Sequence, residues 1–388
     1  MGLFEFEDDL LKHFVRTEGW LPRCRRRLRI VRAKAKTPAS SRRLRYFTFC
    51  AVGAVDVLML DVAKVIRQSS NKEFDTVVFF DRNEIDVVET QKRIRGAHGY
   101  PGDFVDIVLL PDLDDAVAQD GLAALSPPPD QADQFATRQR QRILATHREF
   151  IREFPFDIIN LDLEGYFFKR NDPFPGKMVA SLRKMLDWQK IPINPGTGRA
   201  ENLAGFSLMF TTKIGPPDLT AEYLEMLSGA IQTNLDRDGE LGDILTRRGG
   251  TADVADLRAD NFEVFFKVAL PKLITALLMD RDWCVDTETG ISMFEIQRRP
   301  QGVAPYKMLH IVLDVLRQDP PEERRAPGAG SVPQAVEGYN ATARTIFEQE
   351  EIRVTSDTID EGPLRESLNR IYARRRLYFP EVEENTGG

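Results

Sequence analysis

The chain predicts an α/β fold built on a doubly wound, mostly parallel sheet with helices on both faces, and three observations carry that prediction. Short apolar runs rich in Val, Ile and Phe alternate with longer stretches of helical periodicity. Those runs lack strict polar alternation, as strands covered on both faces do. The first of them, FTFCAVGAVDVLML (Phe47 to Leu60), passes through a glycine into a helical stretch. A nucleotide-binding fold puts its ligand turn at that point.

Taken in order, Leu3 to Trp20 reads as an amphipathic helix, with Phe6, Leu10, Phe14 and Val15 near helical spacing. A basic arm follows, so that residues 1–44 form an N-terminal helix and arm. The α/β domain is expected over 45–318. Its predicted strands are Tyr46–Val52, Thr76–Phe80, Val105–Leu110, Asp157–Leu161 and Phe206–Thr212. Predicted helices between them run over Val55–Gln68, Asn83–Gly96, Gln134–Phe154 and Gly176–Gln189, and SPPPDQADQ (Ser126–Gln134) reads as a loop. A helical insertion occupies about 219–280, and the Thr-Glu-Thr-Gly turn within Trp283–Arg298 predicts a β-hairpin. For Lys307–Leu316 periodicity leaves strand and short helix both open. Pro, Gly and charge content marks 319–338 as a linker, and 339–388 as a C-terminal helical extension with a helix over Pro363–Arg376. Right-handed crossovers bring the strand ends to one edge, where such folds bind ligands.

Composition excludes several classes. A chain of 388 residues, 42% hydrophobic and 29% charged, has material for a large core. No apolar run approaches the ~20 residues of a membrane span, and the start MGLFEFEDDLLKHF is acidic where a secretory signal is basic. A cytoplasmic protein with no membrane partner is the expectation. Cys24, Cys50 and Cys284 are too scattered for a disulfide framework or a zinc pattern, and His13, His98, His147 and His310 show no metal spacing. No metal is expected. P-loop, serine-hydrolase and zinc-protease signatures are missing from the sequence. The net charge of −7 conceals eleven Lys or Arg and no Asp or Glu between Leu21 and Arg45. Such a concentration is offset either by a polyanion or by an acidic surface of the same protein. The first alternative makes Arg23, Arg25, Arg26, Arg27 and Arg29 candidates for binding RNA or DNA.

Acidic residues at strand ends supply the other candidates. Asp81 closes the run Thr76–Phe80, 28 residues after Gly53, where a nucleotide-type fold carries a carboxylate for ribose hydroxyls; a helix N-terminal role is the alternative. Asp112 ends VDIVLLPD, with Gly102-Asp103-Phe104 competing for the same place. The segment FPFDIINLDLEGYFFKRNDPF delivers Asp162, Glu164, Tyr166 and Phe167 to the end of the fourth strand. A carboxylate there can orient an exocyclic amine while a ring stacks on a base. The competing reading makes Tyr166, Phe167 and Phe168 core aromatics and Asp162 a turn cap.

The glycine turn, Asp81, Asp112 and LDLEGYFF, followed by the helix from Gly176 and the strand FSLMFTT, together resemble a class I S-adenosylmethionine-dependent methyltransferase over about Arg45 to Ile214. The segment Asn160 to Gly165 is also similar to the D-L-D-P-[FY]-G motif of tRNA guanosine dimethyltransferases, with Leu163 and Glu164 at its Pro and aromatic positions. The resemblance implies a seven-stranded sheet whose last strand is antiparallel, the hairpin Trp283–Arg298 standing for the sixth and seventh strands. It implies S-adenosylmethionine as cofactor, held by Ala51 and Gly53 at the turn, Asp81 at the ribose and Asp112 near the adenine. Asp162, with Glu164 and Tyr166, would position the acceptor. Against the family's [DE]-x-G-x-G-x-G turn, this sequence has Phe49, Ala51 and Val55 where the acid and two of the glycines belong. Two readings follow: a methyltransferase acting on a nucleic acid or a nucleic-acid-associated substrate, or a catalytically inactive binding subunit of a nucleic-acid-processing or defence assembly.

Overall fold

In a computed structural model the described residues are 6–34, 43–49, 53–109 except 67 and 70, 129–168 except 164, 176–193, 202–215, 219–298, 304–318 and 333–378. They form one nine-stranded mixed sheet. The strands are β1 (Tyr46–Thr48), β2 (Val77–Asp81), β3 (His98–Pro101), β4 (Ile158–Asp162), β5 (Gly205–Lys213), β6 (Trp283–Val285), β7 (Ile291–Arg298), β8 (Tyr306–Arg317) and β9 (Ile352–Val354). Their order is β3-β2-β1-β4-β5-β8-β7-β9, with β6 also on β8. The first five are mutually parallel, β8 is antiparallel to β5 and β7, and β9 adds parallel to β7.

The helices are α1 (Phe6–Phe14), α2 (Leu21–Lys34), α3 (Val55–Val62), α4 (Glu84–Arg93), α5 (Phe104–Leu109), α6 (Pro129–Ile151), α7 (Lys177–Trp188), α8 (Ala221–Leu235), α9 (Gly239–Gly249), α10 (Val254–Asp260), α11 (Phe262–Met279), α12 (Pro333–Glu348) and α13 (Glu361–Tyr378). The sheet sorts its side chains by the period of two. Along β2, Val78 and Phe80 join a core with α5, α6 and α7, while Val77 and Phe79 join a second core with α2 and α3. Along β4, Ile159 and Leu161 face the first core and Ile158 the second. α1 and α13 meet, Leu10 of the one packing with Leu364 and Leu368 of the other. The C-terminal segment enters both cores, through Ile346 and Phe347 of α12 and Ile371 of α13.

Several expectations are corrected. The third strand is HGYP, not Val105–Leu110, whose described residues through Leu109 belong to α5. Asp103 starts that helix by accepting from the Val105 amide at 3.0 Å, and Phe104, Val105, Ile107 and Val108 are buried from it. A six-residue apolar run has no periodicity that separates strand from helix. The loop expected over Ser126–Gln134 becomes helical from Pro129, and proline at a first helical position is favourable. The piece Trp283–Arg298 is not a hairpin: β6 and β7 lie in line along the same side of β8, each antiparallel to it. The hairpin partner of β7 is β8, over the stretch where strand and helix were both open. The sheet has nine strands rather than seven, the extra pair being β6 and β9.

The basic arm is a helix. From α1 the chain runs through a π-helical turn, Val15–Trp20, straight into α2, the following Leu21 being right-handed helical. Gly19 lets this turn approach β7, since a Cβ there would lie 2.7 Å from Phe294 Cε2. The part of the basic segment over 35–42 lies outside the described residues.

Candidate functional site at the carboxyl edge of the sheet

The strand order reverses between β1 and β4. From β1 the chain winds outward through β2 to β3, then returns to β4 on the other side of β1 and continues to β5. In an open parallel sheet this reversal leaves a crevice outside the carboxyl ends of the two strands, because the flanking helices depart to opposite faces. Of the residues predicted for this region, Gly53, Asp81, Asp162 and Tyr166 lie among the described residues.

At the end of β1 the turn residue Gly53 has room for a Cβ, whose nearest neighbour would be Val55 Cγ2 at 3.4 Å. The left-handed conformation falls on Ala54, at φ 46° and ψ 31°. A non-glycine residue there stores strain of about 1–3 kcal/mol, a feature that collects at ligand turns. Ala54 opens α3 with no side-chain cap. The first-turn carboxylate that could have capped it, Asp56, is turned inward instead. It accepts from Tyr46 Oη at 2.6 Å and Thr48 Oγ1 at 2.8 Å. Asn160 Nδ2 donates to the same Tyr46 oxygen at 3.1 Å. This buried network fastens the turn to β1 and β4, and burial followed by the Asp56 charge pushes the Tyr46 phenol well above its usual range. The Asn160 Oδ1 atom is buried without a hydrogen-bond partner among the described residues. The sequence gives one signal for this network, the acid in the otherwise apolar run VDVLML.

Asp81 closes β2 as expected, and it also serves the next helix: its Oδ1 accepts from the Asn83 amide at 2.8 Å, and Asn83 caps α4 through the Ile85 amide at 3.0 Å. With the third strand ending at Pro101, Gly102-Asp103 directly follows it; Asp103 starts α5 and pairs with Arg82 at 3.0 Å. Ala51, Asp112 and Glu164 lie outside the described residues.

Asp162 closes β4. Its carboxylate meets Lys12 Nζ of α1 at 2.6 Å, both side chains being about nine-tenths buried. Burial raises the Asp162 pKa, but the Lys12 charge and hydrogen bond outweigh it and hold the carboxyl below its usual range. Asp162 stands opposite Thr211 of β5, and Thr211 opposite His310 of β8. Thr211 Oγ1 and His310 Nδ1 are 2.9 Å apart. Burial drives the His310 pKa down to about 3, the Asp162 charge opposing it, so the ring is neutral. Above this row sits the π-helical turn: the Trp20 and His310 ring centroids are 6.4 Å apart and Arg16 lies over Trp20 at 5.8 Å. Asp162 Oδ1, His310 Nε2, Trp20 Nε1 and Arg16 Nε are all buried without a hydrogen-bond partner among the described residues. Lys12, Arg16 and His310 entered no expectation as site residues; their only common signal is polarity on an otherwise apolar face.

The aromatics of the fourth strand's loop divide. Phe167 and Phe168 are core residues, packed on Phe210 and Tyr223, so Phe167 does not reach the edge as expected. Tyr166 is 38% exposed, and Lys213 Nζ lies 5.7 Å from its ring centroid and 3.9 Å from that of Tyr306.

The five arginines divide as well. Arg23 meets Asp314 at 3.3 Å and donates to the Thr289 carbonyl at 2.7 Å. Arg26 pairs with Asp286 at 2.6 Å and Asp314 at 3.3 Å, and the buried Arg27 reaches the Val315 carbonyl at 3.4 Å. Arg25 and Arg29 are exposed, as is Arg32. Asp314 stands opposite Ser207 near the beginning of β5. The inward arginines therefore grip the sheet away from the edge that carries Asp162.

Among the described residues no group of three or more His, Cys, Asp or Glu is arranged to hold a metal ion, and no helix is long and apolar enough to cross a membrane. No family profile, curated protein or solved structure matches the chain.

Proposed function

We propose that the chain is an S-adenosylmethionine-dependent methyltransferase-type protein whose cofactor lies in the crevice between β1 and β4. The observation that carries this reading is the sheet order, with its reversal at β1 and β4 and an antiparallel β8 as the last of the seven strands the resemblance implies. The residues present fit the cofactor. The strained Ala54 turn and uncapped start of α3 would offer backbone amides, the Asp81 carboxylate at the end of β2 would take the ribose hydroxyls, and Asn160 Oδ1 is a buried acceptor with no partner among the described residues. Asp103, directly after β3, suits the adenine position that the resemblance implies for Asp112. When bound, the cofactor supplies an electrophilic methyl group, and catalysis then consists mainly of positioning. Asp162 orients the acceptor.

A nucleic-acid or nucleic-acid-associated substrate remains part of the proposal through the outward arginines Arg25 and Arg29. The inactive binding subunit is the second reading, and the Lys12–Asp162 ion pair favours it, because the acceptor-orienting carboxylate already holds an internal partner.

Calorimetric titration with S-adenosylmethionine and S-adenosylhomocysteine tests the cofactor reading. Asp81→Ala is expected to weaken binding by about 1–3 kcal/mol through lost ribose hydrogen bonds, with the fold intact by circular dichroism. Failure of the wild type to bind either compound overturns the reading; unchanged affinity in the mutant removes Asp81 from the site.

A further inference from the structure

Lys12 places a primary ammonium on the strand-end carboxylate of β4. Asp162 is the acidic group that Lys12 contacts, and it accepts through Oδ2. Its second oxygen, Oδ1, is buried with no partner among the described residues, so the carboxylate retains accepting capacity that Lys12 does not use. The neighbouring ring of His310 is neutral, and the Arg16 charge acts on the carboxylate less strongly than Lys12 does. An isolated buried carboxylate requires a cation, and a flexible four-carbon stem delivers one without fixed geometry. The π-helical turn directly after α1 agrees, since such turns are frequent at functional sites.

We propose that Asp162 is the floor of an ammonium-binding site that Lys12 fills from within the chain, and that the external ligand of this site is a primary alkylammonium. This rests on reading the end of β4 as the substrate position, and it changes the ligand expected there from a planar amino base to an alkylammonium bound in its charged form. The burial of Phe167 and Phe168 agrees, because it removes two of the three rings on which a base could have stacked. Exchange of Lys12 for an external ammonium conserves the ion pair, so α1 need not leave the protein. The tethered lysine competes at an effective concentration of about millimolar or more, which makes the wild-type site weak and its release by substitution informative.

Chemical rescue is the test. Lys12→Ala removes the contacting cation from a buried carboxylate, leaving the weaker influence of Arg16, and is expected to melt below the wild type. Adding n-butylammonium chloride should raise its Tm in a saturable way, by about 2 °C at ten times the dissociation constant; sodium chloride and n-butanol should not. The double variant Lys12→Ala/Asp162→Asn should show no rescue. Where Lys12→Ala does not fold, Lys12→Met with ammonium chloride replaces it, the thioether stem keeping the volume. Spermidine and Nα-acetyl-lysine amide, compared at equal concentration, distinguish a free polyamine from a lysyl side chain as the source. Absence of rescue in a folded Lys12 variant, or equal rescue of the double variant, overturns the proposal. Cofactor titration is a separate measurement, so failure of the methyltransferase reading and failure of the ammonium site are distinguishable.

Discussion

Single residues in this protein are most informative where a titratable group is buried without compensation. His310 is pushed from 6.5 down to about 3 by burial, and His13 down to about 4 by burial and then by Arg16. Both are neutral in the folded state, and in the unfolded chain both take up protons near pH 6.5. The unfolded state therefore binds more protons between about pH 6.5 and 4, and stability must fall as the pH drops through that window. His98 has the opposite sign, because its hydrogen bond to Glu153 raises its pKa against the effect of burial. Its contribution is present below 6.5 and lost as the pH rises through its folded value, and since the ring is nearly half exposed the contribution is small. Melting curves from pH 7.5 to 5, above the range where most carboxylates titrate, should show a steady loss of Tm. His310→Gln should flatten that slope whatever it does to the Tm at neutral pH. Parallel slopes for mutant and wild type would mean that His310 is not the buried neutral group described.

At the scale of elements, α2 shows how the sequence conveyed a feature without its purpose. Eleven basic residues were legible; that a helix would fold them onto Asp286 and Asp314 was not, because both carboxylates are some 260 to 290 residues away and charge carries no register. Arg23→Gln with Arg26→Gln should strip the fully buried Asp314 of its cations and cost about 3–5 kcal/mol, measured by urea unfolding. Arg25→Gln with Arg29→Gln should change stability by no more than about 0.5 kcal/mol. If those two touch phosphates, the same pair should lower the log-log salt slope of RNA or DNA binding by about 0.7 to 0.9 per contact. A wild type that binds neither nucleic acid at low salt would remove that part of the proposal. The parallel strands β1, β2, β4 and β5 were readable from their apolar runs to within a few residues at their ends, because burial on both faces leaves a continuous signature. β3 was not, since HGYP is neither apolar nor alternating and owes its place to β2. Asp81 and Asp162 were legible as strand-end acids. Lys12, Asp56, Asn160 and His310 were not, because each acquires meaning from a partner on a distant element. The network of Lys267 with Glu263, Glu295 and Glu351, which ties α11 to β7 and the segment before β9, was hidden for the same reason.

For the whole molecule, the two ends of the chain act together on the carboxyl edge. α1 brings Lys12 to Asp162, and α13 holds α1: His13 Nε2 lies 3.0 Å from Ser367 Oγ, and Leu10 is enclosed by Leu364 and Leu368. α1 is continuous through the π-helical turn with α2, so what α13 supplies is cover for Leu10 and a partner for His13. Arg374 of α13 also meets Asp61 of α3 at 3.1 Å, which ties the strap to the helix behind the turn. Leu368→Ala should leave a cavity costing about 2–5 kcal/mol, and a chain ending at Asp360 should lose the strap altogether. Leu368 belongs to the smallest of the three apolar clusters, so the expected result of its substitution is not global unfolding but selective opening; the truncation also takes Ile371 from the second core and should lower the global stability as well. Amide exchange in residues 6–14 should accelerate by at least about tenfold, one such step corresponding to 1.4 kcal/mol, while β5 and β8 keep their protection. Lys12 should at the same time become more reactive toward an acylating reagent, read by peptide mass mapping, since its carboxylate partner no longer receives it from a fixed helix. Uniform acceleration across the sheet would show that α13 supports the fold as a whole, and unchanged exchange in α1 would show that the strap does not hold it.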